Sequence, residues 1–230
     1  MIRQTPGKIY LADQRGVVET AQHRRYCTFN FGEYVREHKE AFGLLRAVNE
    51  ETLAGGATLP LAANRAAHLL VLPITGKVQV AANGAPTETI DVGEVYLLTV
   101  PAGATLRLAN PYPTDAISFL HLWLETETPL KPAFNQRFAF DSGAIQNQLA
   151  ELVPTTATQS FALRLGRFAA RHEAEVRLQR AAHIFVFVLA GAFEVEGRLL
   201  HEKDGLALWD TDAVELEALS NDALVLVVTW

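Results

Sequence analysis

The chain has 230 residues, a net charge of −6, 49% hydrophobic side chains and a single cysteine, Cys27. The negative charge, with arginines spread along the chain, argues against nucleic acid as a partner. The longest apolar run without a charge, 184–193, is about half the length of a membrane-spanning helix, so no membrane partner is expected. A single cysteine excludes an internal disulfide, and the sequence predicts a cytoplasmic protein in a reducing compartment.

Short apolar or alternating runs bounded by Gly, Pro, Asn or Asp recur in chain order and predict β-strands. They span 66–74, 77–81, 95–100, 105–109, 116–125, 161–169, 183–189, 192–196, 206–209, 214–219 and 223–230. Asn83-Gly84 predicts a hairpin turn after the second run. A single short helix is predicted over 143–151, between two β-rich halves. The pattern is typical of an all-β barrel or sandwich.

An internal repeat relates the two halves. The tetrapeptide Arg-Ala-Ala-His occurs twice, and each copy is followed by an apolar run and a glycine. The ordered matches relate 65–76 to 180–191, 92–94 to 204–206 and 115–123 to 222–230. Ordered matches of this kind indicate a tandem duplication. We therefore expect two domains, over 1–140 and 141–230.

Several segments resemble the pirin family. They are Thr-Phe-Asn-Phe at 28–31, the stretch 42–51, Pro-Ala-Gly at 101–103 with Leu106-Arg107, and Asp-Gly-Leu-Ala-Leu-Trp-Asp at 204–210. The chain is most similar to the bacterial pirin-like branch, in which some members have quercetin dioxygenase activity. The resemblance implies an all-β bicupin, in which two tandem jelly-roll barrels are joined by a short helical connection.

The resemblance also implies one iron-type metal in the first barrel, held by a His-x-His pair, a third histidine and a glutamate. Leu59 and Leu61 stand at the pair, Leu108 at the third histidine and Asn110 near the carboxylate. Leucine has no electron pair to give to a metal such as Fe(II), which imidazole and carboxylate suit. The sequence therefore predicts that the metal site is absent, with no cofactor and no catalytic residue at these positions.

An alternative alignment gives the same result. An ungapped count back from His68 places the histidine pair on Ala62 and Asn64. His68 itself stands where cupins often carry a ligand, and we weigh it as a polar group that faces the cavity. Because His183 repeats it, a structural role shared by both copies is the more economical interpretation.

The predicted cavity-lining residues are Leu59, Leu61, His68, Leu108 and Asn110. The remaining histidines are interpreted as surface or hydrogen-bonded core groups, and Glu50-Glu51 as solvated charges. Cys27 is interpreted as a half-buried small hydrophobe rather than a nucleophile.

Three functional hypotheses remain open. The first is a non-enzymatic, regulatory protein that binds a small apolar molecule or a protein partner. The second is a metal-dependent quercetin 2,3-dioxygenase that uses Fe or another divalent transition metal. The third is a structural or oligomerising module. We favour the first, because leucines occupy the ligand positions in a barrel that is otherwise retained.

Overall fold

A computed structural model describes residues 5–82, 86–126, 134–156 and 159–230, without the side chains of 179–182. Within these ranges the chain is almost entirely β-structure, and its one helical element is a 3₁₀ turn over Ala12–Gln14. No helix in the described ranges is long and apolar enough to cross a membrane. The predicted hairpin at Asn83-Gly84 lies outside the described residues.

The strands in chain order are β1 (Gly7–Tyr10), β2 (Gly16–Glu19), β3 (His23–Cys27), β4 (Leu45–Leu53), β5 (Thr58–Ala62), β6 (Ala67–Thr75), β7 (Val78–Ala82), β8 (Glu88–Ile90), β9 (Glu94–Val100), β10 (Thr105–Ala109), β11 (Ile117–Glu125), β12 (Asn135–Ala139), β13 (Ala150–Val153), β14 (Ala162–Phe168), β15 (Glu173–Ala190), β16 (Phe193–Val195), β17 (Arg198–Leu200), β18 (Gly205–Ala218) and β19 (Ala223–Thr229).

The chain divides into two compact units, 15–139 and 1–14 with 140–230. We expected the N-terminal segment in the first domain, but β1 pairs antiparallel with β18 and belongs to the second unit. Gly7 lies opposite Leu208, and a Cβ at Gly7 would come within 2.5 Å of Leu208 Cδ2. The strand can approach this closely because glycine has no side chain.

The first unit, here called the first barrel, consists of two sheets around one apolar interior. Their strand orders are β12-β9-β6-β11-β4-β3-β2 and β5-β10-β7-β8. On β5 and β10, buried and exposed residues alternate, because successive side chains point to opposite faces. Apolar side chains from both sheets form the interior cluster, so this barrel has its own core.

The second unit, here called the second barrel, consists of one sheet in the order β13-β14-β19-β15-β18-β16-β17, with β1 on β18. Its longest strands, β15 and β18, pair with shifts of register near Arg177, which lets one sheet bend around a core. Phe168 and Phe193 meet edge to face within that core, with ring centroids 5.9 Å apart.

The two barrels repeat one strand arrangement. The neighbours β9-β6-β11 in the first correspond to β18-β15-β19 in the second. The repeated glycines, Gly76 and Gly191, both have positive φ, at 69° and 75°. A Cβ at Gly76 would lie 2.7 Å from Ile117 Cγ2, and one at Gly191 would lie 2.3 Å from Ser220 Oγ. The chain therefore has the predicted bicupin fold.

The predicted helical connection over 143–151 is wrong. The segment consists of turns and then enters β13. Asn147 has a positive φ of 53°, and its N–H donates to the Arg167 carbonyl at 2.7 Å. The Arg167 N–H in turn donates to the Ile145 carbonyl at 2.8 Å. These backbone groups bond to the end of β14 instead of to each other, so a helix cannot form.

Candidate functional site

The three leucines at the family's ligand positions line one inner wall of the first barrel. Leu59 and Leu61 are the inward residues of β5, and Leu108 lies directly opposite Leu59 on β10. Val80 on β7 pairs with Leu108 from its other side. This wall therefore presents hydrocarbon where the family has imidazole. It does not fit a metal, because no side chain there has an electron pair to donate.

Asn110 has a structural role at the end of β10. Its Nδ2 donates to the carbonyls of Leu53, Ala54 and Asp115, at 3.1, 3.0 and 2.7 Å. Its Oδ1 accepts from the Tyr112 N–H at 2.9 Å. The side chain is therefore used to hold a buried loop and does not line the cavity as we expected. A carboxylate here could not donate to those carbonyls.

His68 also differs from our expectation. Ala67 and Leu69, its neighbours on β6, belong to the interior cluster, so the side chain of His68 lies on the opposite face of the strand. Its Nδ1 is 2.8 Å from Thr99 Oγ1. Burial lowers the pKa of His68, which favours the neutral imidazole. It does not provide a polar group to the barrel interior.

The opposite wall of the first barrel carries a buried polar network centred on Glu51 of β4. Glu51 Oε1 accepts hydrogen bonds from Arg25 Nε at 2.5 Å and from His121 Nε2 at 2.7 Å. Its Oε2 accepts from His23 Nε2 at 2.5 Å. The side chain of Glu51 has no exposed surface. The carboxylate on β4 thus accepts hydrogen bonds from three side chains, two on β3 and one on β11.

Glu51 is ionised in this environment. Burial alone would raise the pKa of the carboxyl, because a charged group loses its hydration. Hydrogen bonds from His121 and His23, with the charge of Arg25, outweigh that cost and lower the pKa of Glu51 to about 2. The network therefore holds a buried carboxylate that is compensated by Arg25.

The hydrogen bonds of His121 define its tautomer. Trp123 Nε1–H donates to His121 Nδ1 at 3.0 Å, so Nδ1 is the acceptor and Nε2 carries the proton donated to Glu51. Burial is the largest influence on the pKa of His121 and lowers it, in keeping with a neutral ring. Neither ring nitrogen has an electron pair left for a metal. Within the described ranges, no group of His, Cys, Asp and Glu side chains is arranged to hold one.

Two further buried side chains lie beside the network. Asn49 pairs with Cys27 on β3 and with His121 on β11. Both amide atoms of Asn49 are buried without a hydrogen-bond partner among the described groups. Burial raises the pKa of the Cys27 thiol to about 11, so it stays protonated and unreactive.

A pocket of about 740 Å³ opens onto both walls of the first barrel. Arg25, Phe31, Leu61 and Trp123 are among its lining residues. The Phe31 and Trp123 rings are tilted by 42°, with centroids 6.4 Å apart. The Arg25 guanidinium lies 4.8 Å from the centroid of Phe31. The pocket thus combines aromatic and aliphatic surface with one inner arginine.

Comparison with known proteins agrees with the bicupin fold described above. A family model described as the quercetinase C-terminal cupin domain matches residues 153–229. Quercetin 2,3-dioxygenase of Escherichia coli K12 is 25% identical, over 95% of this chain and 97% of that protein. The crystal structure of YhhW from Escherichia coli superposes with a TM-score of 0.84 at 20% identity, covering 97% of each chain. This chain has the bicupin fold and is similar to these quercetin 2,3-dioxygenase and pirin-type proteins.

A second Escherichia coli structure is relevant to the metal. It is titled as bacterial pirin YhhW in complex with nickel(II), and it matches with a TM-score of 0.83 over 97% of this chain and 98% of that one, at 20% identity. The likeness shows that this chain has the fold of that protein. At the positions where the family places its ligands, this chain has Leu59, Leu61, Leu108 and Asn110.

Sequence reasoning missed the Glu51 network. Glu50-Glu51 was interpreted as a solvated pair, whereas Glu51 shares the inward face of β4 with Ala47 and Leu53. Period-two spacing from Leu45 could have placed Glu51 inward. His23 and His121 could not be linked to it, because their strands meet only in the folded barrel.

The second barrel carries a different concavity, of about 800 Å³. Its charged lining is entirely acidic and consists of Glu173, Glu175, Glu194, Glu196, Glu215 and Glu217. Arg171 pairs with Glu217 and Arg177 with Glu175, both at 3.0 Å. These are side chains on a solvated surface, and this concavity lacks the aromatic lining of the first.

Proposed function

We propose that this bicupin binds a small organic molecule in the pocket of its first barrel and does not use a metal at the family's ligand positions. The observation that carries the proposal is the hydrocarbon wall of Leu59, Leu61 and Leu108 where a metal would need donors. Leu61 of this wall also lines the pocket, whereas Leu59 and Leu108 pack in the apolar interior. A pocket beside a wall without metal donors is better suited to binding than to metal-dependent oxidation.

The pocket has the features of a small-molecule site. Its volume of about 740 Å³ lies in the range of sites that enclose ligands of drug size. Such sites are mostly apolar, with a few fixed polar groups that orient the ligand. Here Phe31, Leu61 and Trp123 supply the apolar surface and Arg25 supplies the polar group.

A binding screen with a blocked pocket tests the proposal. Purified protein would be titrated with a panel of small aromatic molecules, with heat of binding as the readout. Ala41 is half-buried and lines the pocket, so Ala41→Trp should abolish binding. Ala81 on β7 is half-buried outside the lining, and Ala81→Trp serves as the control. Equal binding by both variants, or no binding by the wild type, would overturn the proposal.

A second candidate is a quercetin 2,3-dioxygenase. It is favoured by the Escherichia coli relative of that name, which aligns over 95% of this chain. Oxygen uptake with quercetin would be measured after incubation with Fe(II), Ni(II), Mn(II) or Cu(II). We expect the protein to show no turnover of quercetin with any of these metals. Turnover that depends on one of them would favour the dioxygenase instead.

A further inference from the structure

Arg25 has hydrogen-bonding capacity that the described protein groups do not use. Its Nε donates to Glu51, which compensates the guanidinium charge from the inner side. Its Nη2 is buried without a hydrogen-bond partner among the described groups, and 7% of the residue is exposed. Buried donors are nearly always satisfied in folded proteins. Because Arg25 also lines the pocket, its guanidinium is the candidate group for binding a ligand there.

The charges around the pocket favour an anionic acceptor. Besides Arg25, the lining includes Arg46 and Arg65, against two acidic residues, Glu40 and Glu125. Arg46 and Arg65 lie at the exposed side and both pair with Glu125, at 2.7 and 3.5 Å. The inner end therefore offers a donor on a cation, and a carboxylate is the acceptor that a guanidinium binds best.

The surfaces beside Arg25 favour a flat ring on that acid. Phe31 lies against the guanidinium, and Trp123 is tilted towards Phe31 at a centroid distance of 6.4 Å. Trp123 is held in place because its Nε1–H is bonded to His121. Aromatic rings prefer edge-to-face or offset contacts of this kind. A planar aromatic ring would thus pack on Phe31 and Trp123, above the aliphatic surface of Leu61.

We infer that the ligand is a small aromatic carboxylate whose acid group binds the guanidinium of Arg25. This inference rests on the proposed function and specifies its ligand class. Arg25 acts as the specificity-determining residue, and Glu51, with its hydrogen bonds to His23 and His121, positions the guanidinium.

Matched probes test the inference. The probes are 1-naphthoate and its neutral analogue 1-naphthamide, titrated by calorimetry into the full chain. A hydrogen bond to a charged group predicts that 1-naphthoate binds roughly tenfold to a hundredfold more tightly than the amide. Arg25→Lys keeps the charge next to Glu51 but loses the planar donor, so most of that preference should disappear. Arg137→Lys is the matched control and should keep the preference, because Arg137 is exposed and lies outside the lining of the pocket.

The outcomes separate the inference from the proposed function. Equal affinity for both probes would overturn acid recognition while binding in the pocket still stands. If neither probe binds, and no molecule of the panel binds either, the proposed function itself is overturned. A preference that survives Arg25→Lys, or that is lost equally in Arg137→Lys, would also overturn the role of Arg25. If Arg25→Lys does not fold, the guanidinium NMR signals of Arg25 in the wild type provide the test. They should shift on adding 1-naphthoate and not on adding 1-naphthamide, and unchanged signals would contradict the inference.

Discussion

The two barrels share one strand arrangement and differ in the side chains that they bury. The interior cluster of the second consists of apolar side chains such as Phe168, Val186 and Leu208. Its buried Asp204 serves the backbone by accepting from the N–H groups of Ala12 and His201. The first barrel instead buries an ionised glutamate with an arginine and two histidines. The second barrel shows that the fold is compatible with an apolar core, so the buried polar network is a feature that distinguishes the first barrel.

The same contrast exists between the two inner walls of the first barrel. One wall is the hydrocarbon of Leu59, Leu61 and Leu108, and the other is the Glu51 network. Burying charges costs free energy unless they are paired and hydrogen-bonded. The chain therefore lacks donors at the family's position and holds a compensated charge on the opposite wall.

The largest expected effect comes from removing the buried carboxylate. Glu51→Leu leaves Arg25 as an uncompensated buried charge, so we expect the free energy of unfolding to fall by about 3–5 kcal/mol. Glu175 in the second barrel pairs with Arg177 on the surface, and Glu175→Leu should cost less than about 1 kcal/mol. Denaturant unfolding measures both. Equal losses would remove the distinction between the two barrels.

Acid should weaken the first barrel through Glu51. Its pKa is lowered from an ordinary value of 4.5 to about 2, so its stabilisation is complete above pH 4.5 and is lost as the pH falls towards 2. This shift corresponds to at most about 3 kcal/mol of unfolding free energy. Urea unfolding of the wild type and Glu51→Gln between pH 6 and pH 2 measures it. The variant should show a flatter pH profile, and identical profiles would contradict an ionised Glu51.

Restoring an acid at Asn110 should destabilise the first barrel. Asn110→Asp replaces donors to three carbonyls with an acceptor, and we expect a loss of about 1–3 kcal/mol. Asn64 is exposed, so Asn64→Asp should change stability by less than about 0.5 kcal/mol. Thermal unfolding compares the two variants. If Asn110→Asp left the thermal stability unchanged, the amide of Asn110 would not be what holds the loop.

The smallest expected effect is at Trp123. Trp123→Phe keeps the aromatic surface but removes the hydrogen bond to His121 Nδ1, at a cost of about 1 kcal/mol. Nitrogen NMR of the His121 ring provides a direct readout. The wild type should show the tautomer with the proton on Nε2, and the variant should show a mixture. An unchanged tautomer in the variant would indicate that Glu51 alone defines it.

The sequence predicted the features that depend on local pattern. The repeat paired Gly76 with Gly191, and the structure places both at equivalent turns with a positive φ. Period-two alternation was enough to place Leu59 and Leu61 on one face of β5. The orientation of His68 could not be predicted, because β6 is buried on both faces from Ala67 to Pro73 and shows no alternation.

Features that depend on distant parts of the chain were missed. The pairing of β1 with β18 joins opposite ends of the sequence, and no local signal indicates it. The predicted helix was wrong because its backbone bonds to Arg167 on a later strand. The Glu51 network combines residues from three strands, so its parts look like ordinary surface groups in the sequence.

The most direct test of the central claim is the metal content of the full chain. The protein would be produced with iron, nickel, manganese and copper supplied, purified without chelator and assayed by elemental analysis. Because leucines occupy the family's positions and the ring nitrogens of His121 are engaged by Trp123 and Glu51, we predict far less than stoichiometric metal in the wild type. Stoichiometric metal that is lost in His121→Ala would contradict the account.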